Sequence, residues 1–122
     1  MHKVLRQAEL EDYKLIYNLR FSKEAIDNSL TKIKPTLAQH KDWFKNHYQE
    51  YKIYQNIAFL RQEKDGNISI VVDKKHQGKG IATKLLNTIE SGKAMILINN
   101  TSSLRCFIKG GFNIRGFYLE KN

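Results

Sequence analysis

Asp73-Lys74-Lys75-His76-Gln77-Gly78-Lys79-Gly80-Ile81-Ala82-Thr83 lies at the join of two different periodicities. Upstream, Ile68, Ile70 and Val72 alternate, as in a half-buried strand. Downstream, Ile81, Leu85 and Ile89 recur at helical spacing. The stretch therefore reads as strand, glycine loop, helix. The first turn of a helix leaves backbone N–H groups without internal partners, and the peptide dipoles add partial positive charge there. Glycines let that backbone approach a ligand closely and adopt unusual dihedrals. Together these features make an anion site suited to phosphate. Lys75, Lys79 and Lys84 would add charge at its rim. The plain alternative is a simple Gly-x-Gly turn. Two other nucleotide signatures are excluded. The Rossmann fingerprint needs a third Gly or Ala where Thr83 stands, and the P-loop's Gly-Lys-Ser/Thr ending is absent.

Working outward, Val4–Gln7 reads as a short strand and Glu9–Arg20 as a helix with Leu10, Tyr13, Ile16 and Tyr17 on its apolar face. Phe21–Lys34 is mixed, a loop or short helical turn. Thr36 followed three positions later by Gln39 is a capping-box pattern, and it opens a helix expected over Leu37–Glu50. Lys52–Gln55 and Ile57–Gln62 read as strands, and Lys64–Asn67 as a tight turn into Ile68–Val72. Ser91-Gly92 should stop the helix after the glycine loop, with glycine in the left-handed position. Ala94–Ile98 is continuously apolar, as in a strand covered on both faces. Leu104, Phe107 and Ile108 predict a helix ended by Gly110-Gly111, and Phe112–Glu120 a last strand or hairpin. The fold class is α/β, an α+β mixed sheet with some parallel pairing.

The 122 residues suit a single domain, 1–122. No apolar run is long enough to cross a bilayer, and no apolar leader follows Met1. With Cys106 as the lone cysteine, the chain fits a reducing, cytoplasmic compartment. Scattered histidines and one cysteine argue against a four-ligand structural zinc, and no metal is expected. Lys plus Arg is 21 and Asp plus Glu 12, a net charge of +9, which suggests an anionic partner. The basic residues near the glycines form a compact cluster rather than a stripe, which favours a small polyphosphate over nucleic acid.

Gln77-Gly78-Lys79-Gly80-Ile81-Ala82 resembles the Gln/Arg-x-x-Gly-x-Gly/Ala signature of the GCN5-related N-acetyltransferase (GNAT) family. Asn100-Thr101-Ser102-Ser103 followed by Phe107-Ile108-Lys109-Gly110-Gly111-Phe112 resembles the family's second signature. The resemblance covers roughly the C-terminal half. It implies a GNAT-like central sheet with flanking helices, here shortened, and acetyl-CoA as cosubstrate. The implied cofactor-binding residues are Ile70, Val71 and Val72 on the strand, then Gln77, Gly78, Lys79, Gly80, Ile81, Ala82 and Thr83 at the loop. Asn100, Ser103, Phe107 and Lys109 complete the set. In the first half, Asn18-Leu19-Arg20, Asn28-Ser29 and His40-Lys41-Asp42-Trp43-Phe44 are similar to amino-sugar-nucleotide acetyltransferases of the pseudaminic-acid branch. Arg20, one of the basic residues that would draw a phosphate-bearing acceptor, is a substrate-binding candidate, and Trp43 is another, against the favoured reading of Trp43-Phe44 as core.

The implied reaction is direct transfer of acetyl to a primary amine in a ternary complex. A backbone N–H of Ile70–Val72 would hold the developing oxyanion, and the amine must lose a proton to a base or water. Where the family carries a tyrosine near the thiol, this chain has Phe107, which has no proton to give. Tyr118 is the substitute candidate for the acid, against the reading of an ordinary tyrosine. His40, two helical turns from His47, can titrate near neutrality but also fits a packed apolar face. Ser102, Ser103 and Asn100 fit helix capping as well as cofactor contact. The acceptor is expected to be a small-molecule amine, either an amino sugar nucleotide or, alternatively, a protein N-terminus or other amine. A non-catalytic basic module that binds CoA or nucleic acid is the competing class. The chain should act as a monomer or homodimer, since a trimmed final strand leaves an edge open to pairing.

Overall fold

The computed structural model describes residues 5–29 and 32–121. The sheet has four strands in sequence order: β1 (Arg6–Gln7), β2 (Tyr51–Tyr54), β3 (Ala58–Gln62) and β4 (Ile68–Val72). Every pairing is antiparallel, with Ile53 opposite Phe59 and Phe59 opposite Val71. Helices α1 (Tyr13–Arg20), α2 (Lys23–Asp27) and α3 (Leu37–Phe44) precede β2. Helices α4 (Ile81–Leu86) and α5 (Thr101–Lys109) follow β4. Val4, expected in the first strand, lies outside the described residues.

Strand alternation sorts the core into two layers. Tyr51, Ile53, Phe59 and Val71 pack with Ile16, Leu19 and Phe44 of α1 and α3. On the other face, Leu60, Ile68 and Ile70 pack with Leu86 and Phe107, and Ala58 and Val72 with Leu85 and Ile81. The expected capping box at α3 is present: Thr36 Oγ1 accepts from the Gln39 N–H at 3.1 Å, and Gln39 Oε1 accepts from the Thr36 N–H at 2.9 Å. Gly111, at φ +95°, takes the left-handed position after α5.

Four expectations need correction. Ala94–Ile98 is not a strand. Its one ladder contact is an isolated parallel bridge between Lys93 and Asn67, and Met95 and Ile98 are exposed. Apolar character favours burial, but a strand also needs a hydrogen-bonding partner along its length. Among the described residues the expected mixed sheet is an antiparallel sheet with a single parallel bridge. Phe112–Glu120 likewise has no regular structure, and Phe117 and Leu119 stand in solvent. The Leu37–Glu50 helix stops at Phe44; a turn and a short 3₁₀ segment at Tyr48–Glu50 follow, so His47 is not in the helix with His40. Helix α4 ends at Leu86 rather than near Ile89, and Gly92 is not left-handed. What requires glycine there is space: a Cβ on Gly92 would overlap the buried Ile68 side chain.

Among the described residues no helix is long and apolar enough to cross a membrane, and no cluster of His, Cys, Asp and Glu could hold a metal ion.

Candidate active site

β4 is an edge whose backbone is only partly used. At the ends of its ladder with β3, the Glu63 N–H donates to the Asn67 carbonyl at 2.9 Å and the Asp73 N–H to Ile57 at 2.8 Å. Antiparallel alternation then turns Ser69 and Val71 toward β3, and Ile68, Ile70 and Val72 outward. The Ile68 N–H reaches the Lys93 carbonyl at 2.8 Å, and the Lys93 N–H reaches Gly66 at 3.0 Å. Beyond this point the 94–98 segment makes no backbone hydrogen bond to Ile70 or Val72. The Val72 carbonyl is taken by the Gln77 side-chain amide at 3.1 Å. A gap therefore opens from a pinned end at Asn67 toward the glycine loop. It is lined by Ile70 and Val72 on one side and by Met95, Ile96 and Leu97 on the other.

The gap belongs to a cleft of about 600 Å³, a size that suits a small-molecule ligand. At its loop end lie Gln77, Gly78, Gly80, Ile81 and Ala82. Gly78 and Gly80 have φ of +79° and +77°, with nothing near where a Cβ would stand. Their backbone is both left-handed and uncovered, so a ligand can approach it closely. Asn100, Ser103, Cys106 and Phe107 of α5 and its cap line the inner wall. The Asn100 carboxamide oxygen caps α5 by accepting from the Ser103 N–H at 3.3 Å. Capping therefore falls to Asn100, not to Ser102 or Ser103. Phe107 is buried and packs edge-on against Phe112 at 5.1 Å.

Another stretch of the cleft lies against α1 and α2. Its charged lining is Arg20, Glu24, Arg61 and Glu63, above the Tyr51 and Phe59 rings. Arg61 is buried and places both Nε and a terminal nitrogen on Glu50 Oε1, at 2.9 and 2.8 Å. Burial lifts the Glu50 carboxyl, but the Arg61 hydrogen bonds and charge, helped by His47, outweigh it and hold Glu50 below the usual carboxylate range. Glu63 sits 3.6 Å from the same guanidinium and accepts from the Asn67 carboxamide at 2.8 Å. Glu24 pairs with Lys74 at 3.2 Å across the mouth. The buried Tyr51 hydroxyl accepts from Arg20 at 3.3 Å. Burial raises the Tyr51 phenol pKa against the pull of both arginines, so it stays protonated.

Some expected residues lie elsewhere. Lys79, Thr83 and Lys109 do not line the cleft. His40 is 2% exposed and lies among the rings of Tyr17, Phe21, Trp43 and Phe44. Its Nε2 has no hydrogen-bond partner. Burial holds its pKa down, with Arg20 adding to the effect and a hydrogen bond to the Tyr13 backbone opposing it. Trp43 stands behind the cleft wall, stacked on His47 at 4.0 Å and under the Arg61 guanidinium at 5.0 Å. Tyr118 is exposed, and its hydroxyl donates to Glu120 at 2.6 Å. Sequence reading missed Arg61 and Tyr51. Arg61 fell within an expected strand, but Tyr51 lay between the expected Leu37–Glu50 helix and Lys52–Gln55 strand, and nothing marked the Glu50 partner supplied by a 3₁₀ turn.

The comparisons agree with this architecture. A solved structure of an acetyltransferase (GNAT family) from Bacillus anthracis is similar at TM-score 0.75 and 16% identity, over 93% of this chain and 81% of that one. The structure of AAC(6')-Ib in complex with parmomycin and acetyl-CoA is similar at TM-score 0.72 and 19% identity, covering 93% and 84%. An N-acetyltransferase from Staphylococcus aureus Mu50 follows at TM-score 0.70 and 23% identity, covering 92% and 84%. These identities support a shared fold alone. No curated protein sequence matches the chain. The sequence profile described as the acetyltransferase (GNAT) family matches residues 36–112, which include β4, the glycine loop and the whole inner wall. With the glycine loop, the opened strand edge and more than half of the sequence in agreement, the chain belongs to the GNAT family of acetyl-CoA-dependent N-acetyltransferases.

Proposed function

We propose that this chain transfers acetyl to a primary amine held over the α1–α2 face, with the acetyl-CoA arm in the gap beside β4. The observation that carries the reading is the outward-facing backbone of Ile70 and Val72, open along one edge and leading to Gly78 and Gly80. Acetyl-CoA, when bound, supplies a thioester carbonyl. The outward N–H groups of Ile70 and Val72 can pair with an amide-bearing chain as an added strand would, and one of them can meet the carbonyl oxygen as it gains charge. The uncovered backbone at Gly78 and Gly80 receives phosphate oxygens, with Gln77 fixing the loop to β4. Ile81, Ala82, Ser103 and Phe107 shape the walls, and Asn100 holds α5 in place. Lys79, Thr83 and Lys109 are left with no contact role.

For the amine, Glu63 lines the acceptor end and can draw an ammonium group in and receive its proton through water. The amine nitrogen then bonds to the carbonyl carbon as the carbon–sulfur bond breaks. Phe107 offers no proton and Tyr118 lies outside the cleft, so the departing thiolate is protonated by solvent. His40, sealed among rings, is assigned no step. Within this reading the finer acceptor is an amino sugar nucleotide, which Arg20 supports by lining the cleft; Trp43 buttresses Arg20 rather than touching substrate. The chain acts as one domain, monomer or homodimer, in the cytoplasm, where Cys106 stays reduced.

Calorimetric titration with acetyl-CoA tests the cofactor half. Saturable binding that is lost in Gly78→Glu is the expected result. Absence of binding, or binding indifferent to Gly78→Glu, would overturn it.

A further inference from the structure

Arg20 differs from Arg61, the other arginine that lines the cleft. Arg61 is neutralised by Glu50 and Glu63. Among the described residues Arg20 has no ion pair; the hydroxyl of Tyr51, at 3.3 Å, is its one polar side-chain partner. A guanidinium carries five N–H donors. This one is half-buried and held in position between aromatic rings, 5.1 Å from the Phe21 centroid and 5.4 Å from that of Trp43. Ring faces restrain it without neutralising it, and the protonated Tyr51 supplies no charge. A positioned guanidinium that lines a cleft and lacks an anion is matched by a carboxylate or phosphate, each able to take paired N–H bonds.

Building on the transferase reading above, we propose that the acceptor bears an anionic group, carboxylate or phosphate, on the same molecule as its amine, and that Arg20 binds it. Arg20 then sets specificity. A polycationic amine would place like charge against it, and a neutral amine would leave it uncompensated.

The test uses matched amines that differ in the anion alone: O-phosphoethanolamine against ethanolamine, and alanine against alaninol. CoA release from acetyl-CoA gives kcat/KM for each, and calorimetric titration of the CoA-bound protein gives each affinity. In at least one pair the anionic member should be favoured tenfold or more, on the order of one charge-assisted contact. Arg20→Gln should reduce that ratio about tenfold, mainly through KM, and Arg20→Lys should restore part of it. The responding pair distinguishes phosphate from carboxylate. Ratios near one in both pairs, or a ratio unchanged by Arg20→Gln, overturn the proposal. If no amine turns over, the affinity ratios decide in the same way, and absent or equal binding overturns it. The wild-type ratio stands even if Arg20→Gln fails to fold. Loss of acetyl-CoA binding itself would instead refute the transferase reading; intact acetyl-CoA binding with equal ratios refutes Arg20's role alone.

Discussion

Arg61 is a costly side chain to remove from this sheet. Its guanidinium and the Glu50 carboxylate are both shielded, with side-chain exposures of 10% and 15%. Deleting one partner strands the other's charge, so Arg61→Ala should cost about 3–5 kcal/mol in urea denaturation. Because the folded Glu50 pKa lies below its ordinary 4.5, its contribution is present above that value and is lost as pH falls through the folded one. His40 acts in a higher window. Its folded pKa lies below 6.5, so the fold favours the neutral ring and loses stability as pH drops below that value. The urea midpoint should therefore fall between about pH 7.5 and about pH 5.5, and His40→Phe should flatten that change. An equal slope in both proteins would show that His40 is not its source. At this scale the sequence disclosed residue types better than partners. The glycine loop was readable because glycine is required by backbone geometry. Arg61 was not, since nothing local marks that a strand arginine will meet a carboxylate eleven residues earlier.

Helices and strands were legible where the signal is local. The Thr36–Gln39 box, the turn at Asp65-Gly66 and the alternation of β4 are written in adjacent residues, and each took its expected form. Ala94–Ile98 and Phe112–Glu120 were misread because a strand is a property of two segments, and one segment's apolarity says nothing about whether a partner lies beside it. Helix α5 offers a direct test of a local device. Asn100→Ala removes the side-chain acceptor of the Ser103 N–H and should lower stability by about 1 kcal/mol. Asn100→Asp keeps an acceptor oxygen and should retain most of it. If both variants behaved alike in thermal melts, the cap would contribute nothing.

Across the whole molecule, protection against exchange should follow the hydrogen-bond map. Amides of β3, paired on both sides, should exchange slowest; those of 113–121, outside any ladder, should exchange without measurable protection. Adding acetyl-CoA should slow Ile70, Val72 and the 94–97 stretch, the two lips of the gap, and leave 113–121 unchanged. Slowing confined to the loop at Gly78–Gly80 would show that the ligand sits outside the gap. Fold class was legible at this scale because two motifs in one order constrain many elements at once. A shortened sheet was expected as well, but not that 94–98 and 112–120 would both stay outside it, since the extent of pairing depends on distant neighbours.

The lone bridge between Asn67 and Lys93 does more than close one end of the gap. A slot with a stop at the bottom measures length. From Asn67 to Val72 a strand spans about 17 Å, and a chain threaded from the glycine loop can advance only until it meets that stop. On the proposed reading, the depth at which its tip comes to rest is set by residue count rather than by any single contact. Inserting or deleting two residues within β4, which keeps the alternation of faces, would therefore reset the gauge and, on the proposed reading, displace the reacting end.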